Sequence, residues 1–376
     1  MQMTSSKPSS ELQVLMITAR ADHGGGPRHL ELLLRDTARL LSSHVACPND
    51  TPYWRRFNDI TQARVFQIPH RKFDIRDAWR LVSYARRSGI DIVHAHGKGA
   101  GLYARFVSAV ARIPCVHTPH GIHVGEYGQI AKMLYRLYEN LTARWVDKII
   151  HVSDEERSQA EQTGLWGSLP FAVIPNGVIS HDRSEIGEMR DRARQLLGAQ
   201  AGTTFVVTLS RFDHQKNMQE AYEIAKALPS MQFVWIGSGA DSASLENKAA
   251  FEGVKNIHML GQVDEPLKYL AAADIYLSTS RWEGLPLSVL EAMSLGIPSV
   301  LSSVTGHVEL AQSHGAGLLY PLGDIDSAVE ALQRIANEPG LSSTLSEQAL
   351  QSQMTSFSSQ SVAMRTFEIY KEVMGS

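Results

Sequence analysis

Four short segments place charged or ring side chains beside glycine and proline, where a backbone can approach a ligand closely. The richest is Ser280-Arg281-Trp282-Glu283-Gly284-Leu285-Pro286-Leu287-Ser288-Val289-Leu290-Glu291. Its Gly-Leu-Pro turn predicts a helix beginning near Leu287, with Glu283 just before it and Glu291 about one turn inside. Both carboxylates then face one ligand, and the N–H groups of Leu287 and Ser288 lie at a helix start that favours phosphate oxygens. Carboxylates suit neutral hydroxyl groups, so a sugar and a ribose flanking a diphosphate fit this layout. Two helix-face glutamates are the plain alternative. In Ser210-Arg211-Phe212-Asp213-His214-Gln215-Lys216-Asn217 a guanidinium and an ammonium sit on one loop, either sharing a diphosphate's charge or simply solvated.

The other two segments carry less charge. His23-Gly24-Gly25-Gly26-Pro27-Arg28-His29 reads as an anion-binding turn or as a tight structural one. It lacks the GxGxxG spacing and the acidic residue of a nicotinamide site, and it lacks the GK[ST] of a P-loop. Thr118-Pro119-His120-Gly121 ends a strand, so His120 either donates to a ligand oxygen or belongs to the turn.

These loops need rigid elements behind them. Short apolar runs predict strands at Val14–Ile17, His44–Ala46, Val65–Ile68, Ile92–His94, Cys115–Thr118, Lys148–Val152 and Phe171–Ile174. The pattern restarts at Phe205–Leu209 and continues through Phe233–Ile236, Ile257–Leu260, Ile275–Ser278, Ser299–Leu301 and Gly317–Tyr320. Helical stretches such as Leu30–Leu41, Ile75–Arg87, Ala131–Trp145 and Ile186–Leu197 lie between them. Continuous apolar strands alternating with helices imply an α/β protein of two doubly wound, Rossmann-like domains, 11–180 and 181–359. The junction follows Ile174-Pro175-Asn176-Gly177-Val178, residues 1–10 read as a disordered tail, and Ala363–Met374 as an amphipathic helix.

Charge divides at the same place. The 376 residues carry 36 Lys and Arg against 39 Asp and Glu. Residues 1–180 hold 22 basic and 16 acidic side chains, whereas 181–376 hold 14 and 23. A near-neutral total points to no nucleic acid, and the opposite halves point to different partners. Two cysteines, Cys47 and Cys115, form no disulfide framework. No apolar run approaches the length of a membrane span, and the start has no signal-peptide core. The reading is a cytoplasmic protein. No HExxH or close ligand spacing predicts a metal site.

The ordered set GGG, TPHG, HVSDEE, VIPNGV, LSRFDHQKN, FVWIGSGAD and AAADIYLSTSRWEGLPLSVLEAMSLGIPSV resembles the family-4 retaining glycosyltransferases of the GT-B fold. The match runs in family order from Val14 to about Asp324. The resemblance implies two Rossmann-like domains facing a central cleft, with the C-terminal helix (360–376) returning to the first. It implies transfer of a sugar from a nucleotide diphosphate, UDP before GDP, with retained configuration and no cofactor or metal. Arg211 and Lys216 match the diphosphate pair, Glu283 the carboxylate on the sugar, and Glu291 the one on the ribose. Gly284, Leu285, Leu287 and Ser288 match the loop around sugar and phosphate, Gly24 and Gly25 the diphosphate loop, and Val263 the base-binding loop. His120 matches the residue beside the reacting carbon, so His120, Arg211, Lys216 and Glu283 carry the expected catalysis.

Departures from the family pattern are Ser210-Arg211-Phe212 for Gly-Arg-Leu, Gly26-Pro27 for Ala-Glu, and Thr305-Gly306-His307-Val308-Glu309 for a Gly-Gly segment. The segment His94-Ala95-His96-Gly97-Lys98 resembles relatives in surface-polysaccharide assembly, which implies a glycan or polyprenyl-diphosphate-linked acceptor contacted by His29 and Lys98. A small soluble acceptor, or an inactive nucleotide-sugar-binding protein of polysaccharide assembly, is the alternative. Lys132–Tyr138, with Arg144, Trp145 and Lys148, reads either as an interfacial helix at the anionic inner membrane or as a core helix with a basic edge.

Overall fold

The computed structural model describes residues 11–122, 128–167 and 169–375. The tail at 1–10 lies outside them. Two compact units result: residues 1–175 with 360–376, and residues 176–359.

The first unit is built on seven strands: β1 Gln13–Thr18, β2 Ser42–Cys47, β3 Val65–Gln67, β4 Ile92–His96, β5 Cys115–Thr118, β6 Lys148–His151 and β7 Phe171–Val173. Their order is β3-β2-β1-β4-β5-β6-β7, and all neighbours are parallel. Alternation along β1 sorts its side chains to two covered faces. Leu15 and Ile17 join Ala78, Leu81 and Val82 of the helix Ile75–Arg87 and Tyr103 and Val107 of Lys98–Ala111. Val14 and Met16 join Leu30, Leu33 and Leu34 of Gly25–Thr37. On that face also lie Val362, Tyr370 and Val373 of the last helix, Ser359–Gly375, so the chain's end does return to the first sheet.

The second unit holds β8 Phe205–Leu209, β9 Gln232–Ile236, β10 Ile257–Gly261, β11 Ile275–Ser278, β12 Ser299–Ser302 and β13 Gly317–Tyr320. Its order, β10-β9-β8-β11-β12-β13, repeats the first sheet's plan, again wholly parallel. Val207 packs with Leu290 and Met293 on one face, and Val206 with Tyr222 and Trp235 on the other. In each sheet the strand order reverses where the first strand meets its later neighbour, β1 beside β4 and β8 beside β11. Adjacent crossovers leave in opposite directions there, opening a crevice beyond the carboxyl ends.

All the expected strands form, with ends shifted by a residue or two. The first helix begins at Gly25 rather than Leu30, since Pro27 fits a first helical turn. A short helix at Tyr53–Thr61, held by buried Tyr53, Phe57 and Thr61, went unrecognised, as did Pro339–Ser356 in what reads as a Ser/Gln-rich tail. Cys47 and Cys115 are buried free thiols. Among the described residues no helix is long and apolar enough to cross a membrane.

Candidate functional site

The loops after β8 and β11 start side by side because their strands pair, Ile275 against Val206 and Tyr276 against Val207. Cross-loop hydrogen bonds then fix them together. Arg281 N–H donates to the Gln215 carbonyl at 2.8 Å, Gln215 Nε2 to the Trp282 carbonyl at 3.0 Å, and Arg281 Nη2 to Asn217 Oδ1 at 2.8 Å. Thr279 Oγ1 donates to the Lys216 and Asn217 carbonyls at 2.9 and 3.1 Å. Asn217 itself takes a left-handed φ of 54°, a conformation Asn tolerates, and so turns the chain into the helix Met218–Ala227.

This frame brings Lys216 Nζ to 2.5 Å from Glu283 Oε1, with both side chains largely buried. Burial alone raises the Glu283 pKa, but the Lys216 ammonium, with help from His307 and Ser280, outweighs it and holds the carboxyl below its ordinary value. Arg211 pairs with Asp213 at 2.6 Å and donates to Gln215 Oε1 at 3.1 Å, while its side chain stays partly exposed. The helix Leu287–Ser294 starts at Pro286 without a side-chain cap. Leu285 and Leu287 are buried at that start, and Glu291 is buried on the helix beyond it. Tyr276 links these groups: burial chiefly raises its pKa, Ser288 lowers it by a hydrogen bond, and the charges of Glu283 and Glu291 raise it further. Val263 follows β10 and packs against the core of this unit.

Glycines let neighbouring backbones touch the same loops. A Cβ on Gly237 would stand 1.9 Å from the Ser210 carbonyl oxygen, and one on Gly306 would stand 1.8 Å from that of Gly284. The Thr305–Glu309 segment therefore packs directly on the Glu283–Gly284 turn. Behind it His307 is buried, its Nδ1 lies 2.9 Å from the Ser302 carbonyl, and burial pushes its pKa down to about 4. Asp213, Gln215, Arg281 and His307 were not singled out for this site from sequence. Their signal was proximity to motif residues, visible only once β8 and β11 were known to pair.

In the first unit the corresponding crevice lies after β1 and β4. Gly24 precedes, and Gly25 starts, the helix Gly25–Thr37, whose inner face buries His29. His29 meets His120 edge-on at 4.7 Å between ring centroids, and His96 Nδ1 lies 3.3 Å from His120 Nε2. Burial pushes His29 down to about 4 and, with contributions from neighbouring rings, holds His96 and His120 well below their usual value. His120 adopts φ 55°. Its turn is pinned by Glu156, which accepts from the Gly121 N–H and, at 2.8 Å, from that of Val152.

Lys98 begins its helix with its ammonium 5.0 Å above the Tyr135 ring. Arg105 is taken up by the buried Glu139, 2.5 Å away. Glu139 also accepts from Trp166 Nε1 at 2.8 Å, which ties the helix Gln129–Thr142 to the body. That helix is not a core helix, since Glu139 is the residue it buries. Ile130, Met133, Leu134, Leu137 and Leu141 stand more than half exposed along it, at 73, 62, 55, 53 and 61%. Lys148 opens β6, as the strand expected at Lys148–Val152 requires, and pairs with Glu372 at 2.6 Å, so it does not join this helix in a basic surface.

Comparison with known proteins follows the same division. Residues 23–181 match the family model of Glycosyltransferase Family 4, and residues 189–352 that of Glycosyl transferases group 1. An Escherichia coli UDP-Gal:alpha-D-GlcNAc-diphosphoundecaprenol alpha-1,3-galactosyltransferase is 27% identical over 275 residues, 70% of this chain and 71% of that protein. The Escherichia coli O-antigen biosynthesis glycosyltransferase WbnH is 27% identical over 265 residues, 70% of this chain and 73% of its own. Among solved structures, Anabaena HepE in complex with UDP and glucose superposes with a TM-score of 0.82 at 19% identity, covering 96% of this chain and 99% of HepE.

Proposed function

The chain belongs to the glycosyltransferases that join a family-4 domain to a group 1 domain in the GT-B fold, and on that premise we propose that it moves a sugar from a UDP-sugar to a polyprenyl-diphosphate-linked glycan, with retained configuration. The observation that carries this reading is the buried Lys216–Glu283 pair on the uncapped start of Leu287–Ser294. A lysine ammonium has three donors, so Lys216 can keep Glu283 ionised and still bind a phosphate oxygen. Arg211 brings a planar fork to the same diphosphate. Ionised Glu283 accepts from hydroxyls of the transferred sugar, and Glu291 from those of the ribose. Gly284, Leu285, Leu287 and Ser288 shape the turn around them, Val263 borders the base, and Gly24 and Gly25 complete the diphosphate contacts.

Bond cleavage at the anomeric carbon puts negative charge on the departing diphosphate, and the two cations stabilise it without a metal. His120, held neutral, donates beside the reacting carbon. The acceptor oxygen attacks the face the diphosphate leaves, and a leaving phosphate oxygen takes its proton. The UDP choice is supported by the UDP-bound structural neighbour and the acceptor by the galactosyltransferase relative. His29 and Lys98 are assigned to the acceptor. The exposed apolar stripe of Gln129–Thr142, with exposed Arg136 and Arg144 nearby, supports contact with an anionic bilayer at the cytoplasmic face of the inner membrane.

Incubation with a panel of UDP- and GDP-sugars tests the reading. One UDP-sugar is expected to be hydrolysed slowly to UDP, and rapidly when a polyprenyl-diphosphate sugar is supplied, with the product's anomeric configuration read by NMR. Release of nucleotide by a folded Lys216→Ala variant at the wild-type rate would overturn it.

A further inference from the structure

The sequence has no metal-ligand spacing, yet the fold gathers imidazoles from three separate segments. We propose that His29, His96 and His120 form a binding site for one borderline transition-metal dication, of the zinc or cobalt class. Each offers a ring nitrogen, and these nitrogens lie within 4.8 Å of one another. The tightest separation, 3.3 Å between His96 Nδ1 and His120 Nε2, is what tetrahedral coordination requires: bonds of about 2.0–2.1 Å hold neighbouring nitrogens about 3.3 Å apart.

Burial and backbone fix two of the rings in place. His96 is only 4% exposed, and its Nε2 has no hydrogen-bond partner among the described residues. In the site Nδ1, the nitrogen facing His120, is the ligand and Nε2 keeps the ring proton. His120 takes a φ of 55°, a left-handed conformation that histidine tolerates, in a turn next to the Glu156 contact to Gly121. That turn carries its ring to the other two.

The neighbouring rings show why three histidines and not five take part. His94 is saturated, with Nδ1 2.6 Å from the Tyr370 hydroxyl and Nε2 2.8 Å from Thr118 Oγ1. It backs His96 at 4.0 Å between centroids without being available itself. His117 Nδ1 lies 3.3 Å from Arg105, and its Nε2 lies against Gly101 of the helix Lys98–Ala111. The remaining three present nitrogen only, a donor set that selects zinc, cobalt, nickel or copper over magnesium and calcium, which demand oxygen. His120 is the less buried member, leaving a side from which a fourth ligand such as water can enter. A second grouping, Asp22, Asp50 and His70, offers mostly oxygen, and its His70 Nδ1 is already 2.5 Å from Asp50.

Bound metal takes the His120 ring out of the role assigned to it in sugar transfer, so the ion would inhibit; that consequence alone rests on the proposed function. The site itself is tested by titrating the chelator-treated full chain with Co²⁺. One equivalent should bind with the intense visible absorption of tetrahedral cobalt, be displaced by Zn²⁺ and be unaffected by Mg²⁺. His96→Asn should abolish the absorption and weaken binding at least tenfold with an unchanged circular dichroism spectrum, and His70→Ala should retain both. Should His96→Asn misfold, His29→Gln provides the same reading. Absence of tetrahedral absorption, an unaltered titration in the folded His96 or His29 variant, or loss of the signal in His70→Ala would overturn the site. Tetrahedral binding of Zn²⁺ or Co²⁺ without inhibition of transfer would support the site and remove His120 from the reaction.

Discussion

At the reversal point of the first sheet, His29, His96 and His120 are kept neutral by burial; at that of the second, the Lys216 ammonium holds the buried Glu283 carboxyl below its ordinary value. The strand order behind both is the same. The fold thus supplies a position, and residue type decides whether it stabilises developing charge or offers uncharged hydrogen bonds. The net charge of each half is a poor guide to this. The acidic half holds the two cations assigned to a diphosphate. In the basic half Arg28, Arg35 and Arg56 surround the buried Glu31 at 2.7, 3.0 and 3.4 Å, and Arg105 and Lys148 are spent on Glu139 and Glu372.

The comparison breaks most sharply at Lys216. Lys216→Met leaves Glu283 buried without its cation, so its carboxyl should protonate at higher pH and lose its ability to accept from a sugar hydroxyl. Losing one charge stabiliser costs about 10²–10³ in turnover, and the accompanying loss of Glu283 should bring the drop to about 10³ or more. Steady-state kinetics with the identified nucleotide sugar, beside a circular dichroism check of folding, measure it. Equal losses in Lys216→Met and Lys216→Arg would show that guanidinium cannot substitute, which points to geometry as well as charge.

Glycines sharpen the contrast by a smaller margin. Gly306→Ala forces a Cβ onto the Gly284 carbonyl at 1.8 Å, so the Glu283–Gly284 turn must shift. A misplacement near 1 Å costs about 10²-fold in rate. Gly26→Ala meets nothing within 4 Å in the first unit's loop and should change kcat/KM by less than about twofold. Comparable effects of the two substitutions would remove the distinction between a glycine required by close packing and one that is not.

Much of this was legible in the sequence, and the reason is physical. Continuous apolar strands in a parallel sheet are the strongest periodic signal a chain offers, and every one of them was placed. Arg211, Lys216 and Glu283 were legible as candidates because loops after strands carry ligands in such folds. What stayed hidden depends on side chains meeting across distant segments. Nothing in the spacing of His29, His96 and His120 announces that three rings converge. Gly306 stood out only as a departure, and its reason is a backbone oxygen more than twenty residues away. The helix Pro339–Ser356 was missed because Ser and Gln dilute its apolar face to Leu345, Ala349 and Leu350.

Acid should separate the two units. His29, His44, His94, His96, His117 and His120 in the first unit, against His307 and His314 in the second, all have folded pKa values below the ordinary 6.5, with burial the leading cause in each. A histidine depressed in the folded state binds more protons when unfolded. Its contribution is complete above the unfolded value and is lost as pH falls from 6.5 toward the folded value, about 4 for His29, His44 and His307. The first unit should therefore lose stability more steeply between pH 6.5 and 4. Hydrogen exchange followed across that range on the whole chain reads each unit separately; parallel declines would show that the buried rings are not what distinguishes them.

The effect expected to touch catalysis least concerns an exposed apolar surface of the first unit, along Gln129–Thr142. Leu134 and Leu137 stand 55 and 53% exposed, away from the anchoring Glu139. Replacing both by glutamate removes apolar area and adds charge opposed to an anionic surface, at positions more than half exposed. Full burial of a leucine is worth about 1.5–3 kcal/mol. Partial insertion of two should therefore leave the Leu134→Glu/Leu137→Glu protein with about ten- to a hundredfold weaker binding to phosphatidylglycerol vesicles. Flotation at low and high salt divides the attraction further. Binding that disappears in salt for wild type and variant alike is carried by Arg136 and Arg144, whereas binding that persists only in wild type is carried by the stripe. Sugar transfer to a water-soluble acceptor should proceed alike in both proteins, because the helix reaches the rest of the unit through Tyr135, Tyr138, Glu139 and Asn140 and not through its exposed leucines.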